Sequence, residues 1–395
     1  MGLFSFFSHK KEVVMIVDIG SASVGAALAR ISSDPKIQPI ITGSVRTQLE
    51  FQEHLRFDRF VNLMLGAVES SITSLFKVSK EKPRIVHCFM ASPWYASQVR
   101  KTSLKKDKRF VFTKDIFNSI VNDEARRFEE EEIANYTRLK EHTYFIEKQV
   151  VNIALNGYHT ENPFGVMAQN VELSLFLSIA PEHIITKIRE RVEKITHRPI
   201  VFHTFLLPFF TAIRDIFSEC RDFLLIDVGG EVTDIALIKN QNIKESISFP
   251  LGRNFVLRRS AQICKKNIEE VRSLLFLMAE GKLDTSVKEK AVKVFFSARQ
   301  EWLKMFHEAL LNISSKTTLP SEVFLASDVD VLRWFMESVM SEEYGQYALS
   351  AEKFTVIPVG LSVLSKHILF DGTIEKDQFM ALEALYLAKR AKKYN

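Results

Sequence analysis

Two stretches of this chain follow one plan, and that near repeat constrains its fold more than any other feature. "VVMIVDIGSASVGAALARI" (Val13–Ile31) and "FLLIDVGGEVTDIALI" (Phe223–Ile238) each run through apolar, largely β-branched residues into an Asp. One apolar residue, a Gly and a short turn follow, then a second apolar run. Apolar runs of this length, bounded by Gly turns, are buried strands. The repeat predicts two buried hairpins in two related α/β domains that face each other. At 395 residues the chain is long enough for two or more domains.

Between and after the hairpins, strand and helix signals alternate, which means α/β. "RIVHCFMAS", "YFIEKQVVNIALNGY", "VELSLFLSIA" and "EVFLAS" have strand character. "RFDRFVNLMLGAVESSITSLF" and "PEHIITKIRERVEKI" have helical spacing, the second with Pro181 at its start. "TKDIFNSIVNDEARRFEEEE" predicts a helix capped by Thr113, with Ile116, Ile120 and Val121 on one face. Helical patterns dominate after the second hairpin, and "KDQFMALEALYLAKRAKK" closes the chain as an amphipathic helix.

The paired Asp-x-Gly turns carry the chemistry. In a tight Gly turn successive backbone N–H groups converge into a nest for phosphate oxygens, and a Cβ would block that approach. An Asp just before such a turn is suited to hold Mg²⁺ through water. Two such turns, at Asp18–Gly20 and Asp227–Gly230, are therefore expected to clasp a triphosphate from both sides.

Other chemistries lack their residues. Cys88, Cys220 and Cys264 stand at no metal or redox spacing, which fits a reducing cytoplasm. The histidines show no ligand spacing, and there is no Walker sequence, no GxGxxG after a strand and no nucleophile elbow. The net charge of +5 suits an anionic membrane surface and does not call for nucleic acid. No apolar segment is long enough to span a bilayer. "MGLFSFFSHKK" is expected to be a frayed terminus or a weak membrane-touching foot. The lysine-rich stretch Arg100–Phe110 is expected to be a solvated edge loop, and Glu129–Glu132 a solvated helix end or loop.

The two turns resemble the paired phosphate motifs of the actin, Hsp70 and sugar-kinase superfamily. Within it, the collinear order of seven segments is similar to FtsA, the bacterial cell-division protein. These segments are "VDIGSASVGAAL", "FTKDIFNSIVNDEARRF", "NGYHTENPFGV" with "VELSLFLSI", "DVGGEVTDIAL", "ISFPLGRNFVLRRSAQ", "EVFLASDVDVL" and "DQFMALEALYLAKR". The resemblance implies an actin-like ATPase fold: two RNase H-like domains around a cleft, with an inserted small α+β subdomain of the FtsA (SHS2) type. It places the first domain at 1–96, the insertion at 97–180, and the return to the first domain at 181–220. The second domain follows at 221–375, with a short helical insertion at about 253–318, and the closing helix at 376–395.

The same resemblance implies ATP or ADP with Mg²⁺, held by Asp18, Gly20, Ser21, Asp227, Gly229, Gly230 and Thr233, with Asp18 and Asp227 on the metal side. It places the adenosine site at Ala326, Ser327 and Asp328. It also implies a cytoplasmic scaffold, peripheral to the cell membrane. Its partners would be the division-ring tubulin homologue FtsZ or other division or envelope proteins, together with self-association. The alternatives are a scaffold like PilM of the type IV pilus and, in another class, a small-molecule kinase or phosphatase on the same fold. The segment from Ser97 to Ala180 resembles the insertion of FtsA more than that of PilM. FtsA-like chains continue past the closing helix to an amphipathic anchor, and this sequence does not. The closing helix is then expected to pack on the first domain or to lie on lipid.

Departures from the family pattern predict a degenerate cleft. Ser23 stands where the first motif is usually basic, and Glu231 where the second has a third Gly. Ser327-Asp328 replaces the Gly-Gly of the adenosine motif. A carboxylate facing a triphosphate in a partly dry cleft costs on the order of kcal/mol at an effective dielectric of about 20. The chain holds only 14 Gly, about half the usual share. The expectation is nucleotide binding that is weak or lost.

Overall fold

In the computed structural model the chain opens with β1 (Glu12–Ile19), β2 (Ser23–Ile31) and β3 (Ile40–Gln48), then α1 (Phe57–Val78) and β4 (Ile85–Met90). Next come β5 (Ala96–Val111), α2 (Lys114–Asn135), β6 (Thr143–Leu155), β7 (Tyr158–His159) and β8 (Met167–Pro181). Helix α3 (Glu182–Thr196), β9 (Ile200–Thr204) and α4 (Leu206–Ile216) lead to the second hairpin, β10 (Phe223–Val228) and β11 (Thr233–Lys239). After β12 (Asn242–Phe249) come three helices, α5 (Arg253–Cys264), α6 (Ile268–Ala279) and α7 (Thr285–Ser314). The last elements are β13 (Glu322–Ser327), α8 (Val329–Met340), β14 (Thr355–Pro358), α9 (Leu361–Leu364), β15 (Leu369–Phe370) and α10 (Gln378–Lys393). The structure describes residues 11–34, 36–135, 142–160, 162–315, 317–341 and 353–393. The apolar foot with Leu3, Phe4, Phe6 and Phe7 lies outside them.

The chain divides into two compact units. The first comprises residues 1–91, 187–218 and 358–395. Its sheet has the order β15-β3-β2-β1-β4-β9. Strands β1, β2 and β3 form an antiparallel meander, and β4 and β9 add parallel to β1. Side chains of β1 and β2 are buried on both faces, which is why their sequence is apolar without alternation. Helix α1 covers the sheet with Phe60, Met64, Val68, Ile72 and Leu75, spaced by three or four residues on one face. Helix α10 packs on α4 and β2, burying Met380, Leu382, Tyr386 and Leu387. Its apolar stripe is therefore spent on the first unit and not on lipid. Among the described residues no helix is long and apolar enough to cross a membrane.

The second unit comprises residues 92–186 and 219–357. Its five-stranded sheet, β12-β11-β10-β13-β14, repeats the plan of the first: a meander of β10, β11 and β12, with β13 parallel to β10. The near repeat in sequence is thus a repeat in topology. Helices α5, α6 and α7 fill the segment between β12 and β13, and Trp302 at the centre of α7 is fully buried against Phe249, Phe306 and Phe335.

The segment read as an insertion forms a four-stranded sheet, β5-β8-β6-β7, with α2 laid across one face. Thr113 caps α2 by accepting the Ile116 N–H at 3.3 Å, and Ile116, Ile120 and Val121 pack into the core with Phe112, Phe128 and Leu175. One reading of this segment needs correction. Arg100–Phe110 is not a loop: it lies in β5, paired with β8 from Arg100 to Lys105 and again at Phe110, with the register shifted between them. Its alternation of Lys101, Ser103 and Lys105 with Arg100, Thr102 and Leu104 is that of a strand with one wet face. The acidic run Glu129–Glu132 lies in α2, where Glu131 pairs with Arg100 at 2.7 Å.

Candidate functional site

At the first turn, three strands bring one row of residues together. Asp18 on β1 lies opposite Gly25 on β2, and Gly25 lies opposite Arg46 on β3. Because Gly25 has no side chain, the Arg46 guanidinium crosses over it to Asp18, at 2.6 Å. A Cβ on Gly25 would lie 2.9 Å from Arg46 Nη2 and 2.4 Å from Met380 Cε. Arg46 also donates to Ser23 Oγ at 2.8 Å and to Asp377 at 2.5 Å. Asp377 in turn caps α10, accepting the N–H groups of Phe379 and Met380. Gly20 and Ser21 form the turn itself, where Gly20 N–H donates to Ser23 O at 3.0 Å and Ser21 is buried.

This cluster is dry. Asp18 is 4% exposed and Glu383 of α10 is 0% exposed. Burial raises the pKa of Asp18 and is opposed by Arg46. Glu383 is pushed well above the usual carboxylate range by burial and by the Asp18 and Asp377 carboxylates. Neither of its oxygens meets a partner in good hydrogen-bond geometry. The arrangement balances two carboxylates with one guanidinium. Arg46 supplies at Asp18 the positive charge that a Mg²⁺ ion would bring.

The second turn is built around the start of α5. Gly229 O accepts the Arg253 N–H at 2.9 Å, and Gly230 O accepts the Asn254 N–H at 2.8 Å, so two otherwise orphaned donors of α5 are satisfied by the turn. Gly252 makes this possible, since a Cβ there would lie 2.4 Å from Gly229 O and 2.7 Å from Gly230 O. Glu231 bends back onto the same helix. It accepts from Asn254 Nδ2 at 2.8 Å and from both terminal nitrogens of Arg258. Asn254 and Arg258 are one helical turn apart and share a face. The carboxylate near the helix N-terminus is also favoured by the helix dipole. Thr233 is fully buried, donates to Leu251 O at 2.7 Å and accepts from Trp302 Nε1 at 3.2 Å.

The third group of expected residues lies beside the second. Ala326 on β13 is opposite Asp227 on β10, and Asp227 is 8% exposed. Ser327 is fully buried and its hydroxyl donates to Val228 O at 3.0 Å. Asp328 stands at the N-cap of α8, and its carboxylate takes Arg253 Nη1 at 2.8 Å while Asp330 takes Nη2 at 2.6 Å. Arg253 is 5% exposed, so the Asp328–Arg253–Asp330 clamp is mostly out of water.

Each unit therefore assembles its own share of the expected residues. Asp18, Gly20 and Ser21 meet in the first, and Asp227, Gly229, Gly230, Thr233, Ala326, Ser327 and Asp328 in the second. Asp18, Asp328 and Glu231 are answered by arginines that sequence reasoning did not single out: Arg46, Arg253 and Arg258. A signal for Arg258 and Asn254 was present in "GRNFVLRRS", where both sit on the face of a helix that begins at the expected turn. Arg46 gave none, because its role depends on strand register. Among the described residues no three His, Cys, Asp or Glu are arranged to hold a metal ion.

No protein-family model matches the chain, and no curated protein matches it. Solved structures do. It is similar to a structure of the PilM-PilN type IV pilus biogenesis complex, at 14% identity and a TM-score of 0.63, over 97% of this chain and 99% of that one. It is also similar to the ethanolamine utilization protein EutJ from Carboxydothermus hydrogenoformans, at 10% identity and a TM-score of 0.40, over 96% of this chain and 90% of that one. The length-spanning match to the pilus protein agrees with the repeated sheets and the two Gly turns: the chain has an α/β actin-like ATPase fold.

Proposed function

We propose that this protein is a non-metabolic scaffold of the PilM kind. It would act at the cytoplasmic face of the cell membrane in assembling a type IV pilus or a related secretion complex, by binding a PilN-like partner. The observation that carries this reading is the filling of the expected nucleotide turns by the chain's own arginines. Asp18 is held by Arg46, Glu231 by Arg258 and Asp328 by Arg253. A turnover enzyme on this fold needs those places open to phosphates, Mg²⁺ and base. A scaffold needs only the shape. The end-to-end likeness to a pilus-complex protein favours PilM over FtsA among the two scaffolds that the sequence resembles. At 14% identity that likeness bears on fold, and the pilus role is our inference from it.

In this reading ATP or ADP binds weakly or not at all, and any nucleotide is structural. Membrane association comes through the partner. Disrupting the gene in its native host tests the role directly. Loss of surface pili or of secretion with normal division is the expected result. Filamentous, undivided cells with intact pili would return the protein to the FtsA type, with FtsZ or another division protein as its partner. Rapid Mg-ATP turnover by the purified chain would instead favour the kinase or phosphatase class.

A further inference from the structure

Beyond Val99 and Phe176, the face of the inserted sheet that α2 leaves uncovered is polar and basic. On β5, Lys101 and Lys105 share this face, because strand side chains alternate. Across β8, Asn170 lies opposite Lys105, and Asn152 of β6 lies in the same row as Lys101, through Ser174. Lys244 approaches from β12, the edge of the neighbouring sheet in the same unit. Together they line a cavity of 610 Å³. The one carboxylate in its wall, Glu172, accepts from Asn170 Nδ2 at 2.8 Å. Among the described residues, none of the three ammonium groups has an ion-pair or hydrogen-bond partner.

We propose that this cavity binds a phosphoryl group, on a site separate from the nucleotide turns and independent of the pilus reading. Three cations against one carboxylate leave a local excess of positive charge on a floor of amides and hydroxyls. That is the complement of a compact polyanion with several acceptor oxygens. The volume lies within the range of small-molecule sites, but those are mostly apolar and this one is not. Burial and the nearby Lys101 lower the pKa of Lys244, partly offset by Asp222, and a bound anion would oppose that shift.

Calorimetry of the full chain with sodium pyrophosphate at low salt tests this. The expected result is saturable one-site binding that weakens steeply with added salt. Lys101→Gln and Lys244→Met should each reduce the affinity by about tenfold without changing the melting temperature of the free protein. Glu172→Gln should tighten it, and Lys304→Gln, on an exposed face of α7, should change nothing. Co-sedimentation with phosphatidylglycerol vesicles identifies the source of the phosphoryl group. Lysine-dependent pelleting that pyrophosphate competes away marks a lipid headgroup, and pyrophosphate binding without pelleting marks a soluble phosphate. Heats no larger than dilution overturn the proposal. So does binding that survives both lysine substitutions, or binding that is lost in Asp227→Ala and unaffected by them.

Discussion

The guanidinium of Arg46 lies 2.6 Å from the carboxylate of Asp18, the residue that the sequence offered as a Mg²⁺ holder. The same guanidinium reaches Asp377 at the start of α10, so one cation ties the first Gly turn to the closing helix of the first unit. Arg46→Met should therefore cost about 3–5 kcal/mol of stability, because it strands the buried Asp18 and the half-buried Asp377 carboxylates beside the buried Glu383. Urea unfolding checks it. Adding Asp18→Asn and Asp377→Asn to Arg46→Met should restore part of the loss, and a single Asp18→Asn should cost less than the arginine change. A loss under about 1 kcal/mol for Arg46→Met would mean that water reaches the cluster.

Gly252 governs the second turn in a comparable way. Its missing Cβ lets the Gly229 and Gly230 carbonyls meet the first N–H groups of α5. The atoms that a methyl would strike are backbone, which cannot swing aside. Gly252→Ala should cost roughly 1–3 kcal/mol and loosen the turn. Hydrogen exchange at the Arg253 and Asn254 amides should rise in the variant while β1 to β4 stay protected. Unchanged exchange there would show that the turn and α5 can separate at no cost.

The paired hairpins, the α/β class and the helix that begins at Thr113 were legible because each rests on local pattern. Unbroken apolar runs ending in Asp-x-Gly can be little else than buried hairpins, and Thr113 caps where its spacing said it would. The departure of the turns from the family pattern was legible only as a misfit. Glu231 looked like a charge aimed at a phosphate, whereas it is bound by Arg258 and Asn254. Such partners lie across strands or a helical turn beyond a loop, and register is not written in composition. Arg100 shows the same limit. In sequence it began a lysine-rich stretch, but it lies on the α2 side of β5 and pairs with the buried Glu124 at 2.8 Å.

His87 and His203 face each other on β4 and β9, with Nδ1 and Nε2 3.0 Å apart. Burial holds both pKa values down at about 3, helped at each ring by Arg390 and at His87 by His203 as well. Both rings are neutral in the fold and protonate near 6.5 when unfolded. The unfolded chain then binds more protons between those values, so this contribution is complete above pH 6.5 and declines as the pH falls toward 3. Going from pH 7 to pH 5 should cost about 2 kcal/mol per ring. Asp234, half-buried between Ser92 and Ser248, runs the other way. Its pKa is raised to about 6 by burial, so its contribution is lost as the pH rises from 3.8 through 6. Hydrogen exchange at β4 and β9 separates the two, because Asp234 belongs to the other unit. Protection there should fall on acidification and become flatter with pH in His87→Gln. Equal protection at pH 5 and pH 7 would rule out the buried neutral pair.

The nucleotide question turns on Glu231. Calorimetry of the unaltered chain with Mg-ATP should give a dissociation constant weaker than about 100 μM, or no measurable heat. Removing the carboxylate should do two opposite things. Glu231→Gly deletes a partner of Arg258 and one partner of Asn254, both on α5, so stability should fall by about 1–3 kcal/mol. The Arg258 guanidinium, no longer facing that carboxylate, and the restored Gly turn should then favour phosphate oxygens, and affinity for Mg-ATP should rise severalfold. The double variant Glu231→Gly with Arg258→Met separates the contributions: if the arginine supplies the gain, affinity returns to the weak starting value. Asp227→Ala should abolish whatever binding the unaltered chain has. Low-micromolar binding by the unaltered chain would falsify the reading of occupied turns, since it would require Glu231 and Arg258 to part at the expense of a charge-assisted pair whenever nucleotide arrives.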